Sequence, residues 1–391
     1  MRHLRSLALT SLFVTPLLGQ TVWTVPDGTD VALVLAQAAP GDVLQLGTQH
    51  PPFVLDKGVL IRGSVSNTLI AVGGGVQLPG PGSITVAVPP GQTAGLERLF
   101  VANFNTGYGI VPGTLTLQSG ASEVRDVVVQ GPIQVNGGSH VLQRLGQPTA
   151  ESRLVISGGT CSLTDSTVAG RTDSPVPGIF EYSSAIQMTG GVLLASRVTA
   201  TNGLVFSYFP VGPVPTIQVF GGSAYFTDST ITGSNVGLGV NGPGTPAVTA
   251  TGGVFVARTS LVPGTGTTAT PPSTGYTTES SMVGLYCPTS PTIGAPFTAI
   301  VTAGNSQEWL AVVGGFDGTP NTLAPFVEPV FGDIPQLVVL GVTVPAAGAI
   351  LPLTVAVPNV PSLTGTPVFL QAVQSSGAVV RASALVGGTI R

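Results

Sequence analysis

Lysine is almost missing from this chain. Lys57 is the only one among 391 residues, and Asp, Glu, Lys and Arg together make up 8%. A surface so poor in positive charge, on a chain of net charge −4, lacks the basic footprint that nucleic acid or an anionic membrane needs. Cysteine is nearly absent as well: two residues, Cys161 and Cys287, cannot make a disulfide framework. They lie far apart in sequence, and two separate buried thiols is a plainer reading than one bridge. Past the first residues, no run of some 18 apolar residues escapes Pro or Gly, so no transmembrane helix is expected in the mature chain. Nor is the chain of disordered type, because 43% of it is hydrophobic.

What is abundant is Gly (54) and Pro (34), set among Val, Thr and Ser. Many turns between short β-branched runs imply many short strands. The first residues read as an export signal: Arg2 and Arg5 form a positive start, Leu7 to Leu18 an apolar stretch, and Gly19 a residue suited to precede the cut. Without residues 1–19 the chain keeps 11 basic and 17 acidic residues, a net charge of −6. The expected location is secreted, cell-surface or periplasmic.

A Gly-Gly pair recurs at 137–138, 158–159, 190–191, 221–222 and 252–253, with spacings of 21, 32, 31 and 31. A short alternating run precedes each pair, as in Ile133-Gln134-Val135, Ile186-Gln187-Met188 and Ile217-Gln218-Val219. After the pair, Thr164-Asp165-Ser166-Thr167 repeats as Thr227-Asp228-Ser229-Thr230. One such repeat cannot bury its apolar side alone, but stacked copies can, each strand pairing with its counterpart in the next coil. Glycine suits the corners, where φ must turn positive. The three longer coils then carry extra loops over 171–184, 203–215 and 233–246.

The opening of the mature chain adds a cap. Val31–Ala39 reads as a short amphipathic helix, followed by Pro40-Gly41-Asp42-Val43-Leu44-Gln45-Leu46, Phe53-Val54-Leu55 and Lys57-Gly58-Val59-Leu60-Ile61-Arg62-Gly63. In these residues the chain resembles the amino-terminal cap and first coils of right-handed parallel β-helix proteins, the fold of pectate lyases and many exported polysaccharide-active proteins. The resemblance covers roughly residues 22–262. It implies an all-β chain: a signal peptide over 1–19, a right-handed parallel β-helix solenoid over 20–262 and a linker over 263–281. A small β-sandwich module of six alternating runs would then fill 282–391. Around Val357-Pro358-Asn359, Pro361, Leu363 and Gly365, that module resembles a carboxy-terminal module of large exported bacterial proteins for which no activity is settled.

Counting six positions past the second glycine of each coil, starting from Gly120, finds Asp126, Arg144, Asp165, Arg197, Asp228 and Thr259. Stacked coils would place an Arg above and below each Asp, and a structural ladder that pins register is a simpler reading than a catalytic row. The long loops offer Arg171, Asp173, Glu181, Tyr182, Tyr208 and Phe209, with Asn235 and Asn241 beside them, as a ligand face suited to sugar rings. Mutual packing of the three aromatics is the plainer alternative. Lyase and polygalacturonase motifs of the fold are missing: there is no Asp-Asp, no Gly-His-Gly and no Arg-x-Lys. No catalytic residue, metal site or cofactor is therefore expected. His140 should face the coil interior in a row with Cys161, Leu193, Ala224 and Phe255, and Trp23 and Trp309 should be packing residues.

Three roles remain. The first is a non-catalytic exported β-helix with a surface-structural or glycan-contacting task, whose partner would be a polysaccharide or cell-surface glycan. The second is a diverged carbohydrate-active enzyme, lyase or glycoside hydrolase, acting through the loops, with Glu181 the first acid to test. In the third, the carboxy-terminal module is a sorting or attachment element and the solenoid its passenger.

Overall fold

A computed structural model of the chain describes residues 20–64, 68–70, 83–105, 109–146, 152–170, 183–202, 214–236, 241–316, 318–332 and 337–391. Among the described residues the protein is all-β apart from the helix Val31–Gln37 and the short 3-10 turn Pro361–Leu363. Two long parallel stacks dominate, of eleven and eight strands, each built of one short strand per coil. A third side is formed by a five-stranded sheet and then by a four-stranded one. This arrangement fits a parallel β-helix.

The register follows from alternation of side chains. In the eight-stranded sheet, Ile133, Leu154, Ile186, Ile217 and Val248 pair in sequence as one column, each 0–1% exposed. Two residues on, Val135, Ile156, Met188 and Val219 make a second buried column. At the corner into the eleven-stranded sheet, Gly120, Gly138, Gly159, Gly191 and Gly222 have φ between +72° and +80°. There the backbone turns left-handed, and each Cβ would meet a carbonyl of the coil below.

The interior also holds His140, fully buried. It pairs with Ser122 on one side and Cys161 on the other, and the column continues through Leu193, Ala224 and Val254. Val254 rather than Phe255 completes it, because Gly253 occupies the strand position that Ser223 fills in the coil before. The last coil is thus one residue out of step with a count from its glycines. His140 Nδ1 lies 2.8 Å from Ser122 Oγ, and Nε2 lies 2.5 Å from the Gly137 carbonyl. Cys161 and Cys287 are both free and buried.

The helix covers the open end of the stack. Asp30 caps it through Ala32 N, and Val31 and Leu35 turn into the core. Its C-terminus is capped by the lone lysine: Lys57 Nζ donates to the carbonyls of Leu35, Ala36 and Ala38 at 2.7, 3.2 and 3.1 Å. Asp42 ties the first strand down by accepting from Trp23 Nε1, Thr21 N and Ala39 N. His50 lies buried in the short strand Gln49–His50.

Residues 263–281, expected as a linker, contain strand Thr277–Thr278, which pairs with Phe255–Val256 at the end of the eleven-stranded sheet. Beyond them come antiparallel sheets. Gly284–Tyr286, Pro296–Thr302 and Ile350–Ala356 form one. Val338–Thr343, Leu310–Gly315, Pro367–Ser376, Val379–Ala382 and Val386–Thr389 form the other. Phe297, Leu285, Leu310, Leu370 and Ile390 share their core. The pair of sheets is compatible with a β-sandwich.

The outward side of the eleven-stranded sheet is buried over its middle strands too, because this second part packs on it. Val141, Leu194, Tyr225 and Ala257 form one cluster with Phe331, Phe369 and Leu385. Ser162 Oγ donates to Leu385 O, Ser139 Oγ to Gly318 O, and Thr389 Oγ1 to Glu123 Oε2. Arg381 bridges Glu328 and Glu279.

Burial lowers the His140 imidazole from its ordinary value to about 4, against a weaker opposing pull from its bond to Gly137 O. The unfolded chain therefore takes up a proton near pH 6.5 that the folded chain refuses until about pH 4, and the contribution of His140 to stability falls as pH drops through that window. Denaturant titrations across it should show this slope. His140→Leu, which matches Leu193 in the same column, should flatten it.

Candidate functional site

Seven non-glycine residues share one unusual backbone state. Arg98, Asp126, Arg144, Asp165, Arg197, Asp228 and Arg258 have φ between +48° and +56°. Each closes a strand of the eleven-stranded sheet and turns the chain toward the third side. The amides of the first six still bond the adjacent coil: Asp126 N donates to Gln143 O, Arg144 N to Thr164 O, Arg197 N to Thr227 O and Asp228 N to Ala257 O. Left-handed backbone costs an L-residue roughly 1–2 kcal/mol, more readily tolerated by Asp than by Arg.

The signs alternate along the whole row. The bonds, however, run one way rather than both. Asp126 takes both Nε and Nη2 of Arg144 at 2.7 and 2.9 Å, and Asp228 takes those of Arg258 at 2.7 and 3.2 Å. Asp165 pairs with Arg197 at 2.9 Å. Burial raises Asp126, but Arg144, with Arg125 and Arg391 behind it, outweighs that and holds the carboxyl below its ordinary value. At Asp165 burial wins over Arg197 and Arg144, and the carboxyl is raised.

Arg98 and Arg258 escaped the glycine count. Thr259, which that count reached, belongs to the next row with Ser166 and Ser229. Ser166 and Ser229 each donate back to the carbonyl two residues earlier and accept an amide from the neighbouring coil. Thr259 Oγ1 likewise donates to Ala257 O. This explains the repeated Thr-Asp-Ser-Thr: a strand end, a left-handed charge and a hydroxyl clamp.

Residues 282–290 lie along the charged row, running back down the stack. Arg258 Nη1 donates to Met282 O at 3.0 Å. Gly284 faces the Asp228 carboxylate so closely that a Cβ would collide with it. The Arg197 guanidinium sits 3.9 Å over the Tyr286 ring, and Arg144 Nη2 donates to Ser290 Oγ at 3.2 Å. Pro288 walls an open hollow of about 380 Å³ with Arg144, Asp165, Arg197, Ser166, Thr167 and Thr199. Arg391 completes the line at Asp126 and Glu97. Between these residues, Val283, Leu285 and Cys287 point into the core of the C-terminal sheets. The strap is amphipathic with a period of two: even positions meet the ladder, odd ones the apolar core.

Arg171, Asp173, Glu181, Tyr182, Tyr208 and Phe209 lie outside the described residues. Of their neighbours, Asn235 uses its Oδ1 to accept from Thr265 N and Oγ1. Trp309 is 41% exposed, whereas Trp23 packs on the core. Eleven of the twelve described acids already hold a partner, such as a helix cap, an ion pair or a strand end. Among the described residues no cluster of three or more His, Cys, Asp or Glu could hold a metal ion.

A different surface was not picked out from the sequence. On the outward side of the eight-stranded sheet, one residue per coil stands in register: Val54, Thr85, Thr116, Gln134, Val155, Gln187, Gln218 and Thr249. All eight are at least partly exposed, and none is charged. Beside them Asn136, Ser157, Thr189, Phe220 and Thr251 are exposed, and Phe220 is 53% so. The signal is the middle letter of Ile-Gln-Val and Ile-Gln-Met, a single polar residue between two core residues.

Gly284→Ala should push the strap off the ladder, costing about 1–3 kcal/mol in a denaturant titration. Asp228→Ala in the same chain should recover part of that loss by vacating the space. Non-additivity of the two is the checkable outcome.

No protein-family model matches the chain, and comparison with curated proteins and with solved structures finds no match.

Proposed function

We propose that this chain is an exported, bacterial-type right-handed parallel β-helix of the pectate-lyase-like fold with a C-terminal β-sandwich module. Its task in this reading is non-catalytic: a surface-structural protein that contacts a neutral glycan. The observation that carries the reading is the uncharged row on the eight-stranded sheet. Its side chains repeat at the strand spacing of roughly 4.8 Å along a straight line. Amides at Gln134, Gln187 and Gln218 can each donate to and accept from sugar hydroxyls. Exposed Phe220 and the partly exposed Val155 supply apolar surface for the carbon face of a ring. An uncharged row favours a neutral chain over a polyuronide, which would want cations.

In the same reading the alternating Asp–Arg ladder is structural. It fixes coil register and seats the strap, each partly exposed pair contributing roughly 0.2–1 kcal/mol. The engagement of the described acids in partners of their own supports this over an enzyme acting through them.

The test is retention on insoluble neutral glycans by pull-down. Gln187→Ala with Gln218→Ala should weaken retention roughly tenfold, the equivalent of about 1.4 kcal/mol, without moving the melting temperature. Absence of retention on any glycan, or release of reducing or unsaturated sugars, would overturn the proposal.

A further inference from the structure

The C-terminal sheets leave one side open. Strand Val338–Thr343 is bonded only to Leu310–Gly315, and strand Ile350–Ala356 only to Pro296–Thr302, among the described residues. Between these two edges opens a cleft of about 50 Å³ lined by Phe297, Phe316, Leu340, Val355, Val368 and Leu370. Along these edge strands Val339, Val342 and Ile350, with Val344 just past the first strand, are 52%, 58%, 68% and 67% exposed. No Asp, Glu, Lys, Arg or His occurs anywhere from Ile334 to Val380, a stretch of 47 residues. Single exposed valines are ordinary, but a group of them along two free strand edges marks an interaction surface.

We propose that this edge joins two copies of the chain. Charge selects the occupant. The chain is net negative, so two copies repel except where charge is missing, and strand Val338–Thr343 lies within the long uncharged stretch. An anionic membrane would find no Lys or Arg here and a net negative protein behind it. A glycan would meet valines that offer its hydroxyls nothing. A second copy brings a matching uncharged apolar face and a matching row of unpaired amides and carbonyls.

Geometry selects the strand. Ile350–Ala356 carries Pro352, which lacks an amide and blunts an edge. Val338–Thr343 has neither proline nor charge along it. Antiparallel pairing of Val338–Thr343 with the same strand of a second copy across a two-fold axis is self-complementary, and it closes the edge.

Sedimentation equilibrium of the purified chain tests this, with Val342→Lys and Val344→Lys introduced together. Both positions are more than half exposed, so the variant should keep its melting temperature and circular dichroism. The unmodified chain should show a concentration-dependent dimer, and the variant should dimerise at least ~100-fold more weakly, because four ammonium groups then meet at one interface. A chain that stays monomeric at every concentration overturns the proposal, whether or not it binds vesicles or a glycan instead. So does a dimer that persists unchanged in the variant, which would place the interface elsewhere.

Discussion

Everything in this molecule rests on in-register stacking of short coils. A strand of three to five residues is unstable alone, and each buries its apolar side only because the next coil lays an equivalent strand over it. Register then propagates to whatever lies between the core residues. The step that stacks Ile186 under Ile217 also stacks Gln187 under Gln218 and Arg197 beside Asp228. A one-residue slip would turn every core column outward.

Corners hold that register. On one side of the eleven-stranded sheet, glycines take the left-handed conformation with carbonyls of the coil below pressed against them. On the other side the same conformation falls on Asp and Arg in alternation. There the backbone cost is offset by charge pairing between coils and by the strap that lies across it. The middle strands of the eleven-stranded sheet are buried on both faces, one against the coil interior and the other against the C-terminal sheets. The buried Glu328 marks that interface: burial raises its carboxyl even though Ala382 N and Arg381 bind it.

Much of the coil was legible because repeats announce themselves. Gly-Gly pairs, the Ile-Gln-hydrophobic triplets and the Thr-Asp-Ser-Thr copies carry register in plain sight, and the C-terminal strands fall close to the alternating runs that foretell them. The site was less legible, for three physical reasons. Counting from glycines fails where a coil is one residue short, which hid Arg258 behind Thr259. Contacts across large sequence distance leave no local mark, so nothing in Met282–Ser290 announced a strap whose even residues meet the ladder. An exposed glutamine between two core residues has no distinctive neighbours, although eight uncharged positions in one row make a surface.

Disulfide trapping on the exposed row tests the stacking most directly, since the native cysteines are buried. Gln187→Cys with Gln218→Cys places two thiols on adjacent coils, with Cα atoms roughly 4.8 Å apart, within reach of a disulfide. Gln187→Cys with Thr249→Cys places them two coils apart, roughly 9.6 Å and out of reach. The account predicts rapid intramolecular cross-linking in the first pair and none in the second. Equal cross-linking of both, or cross-linking of the second alone, would contradict it.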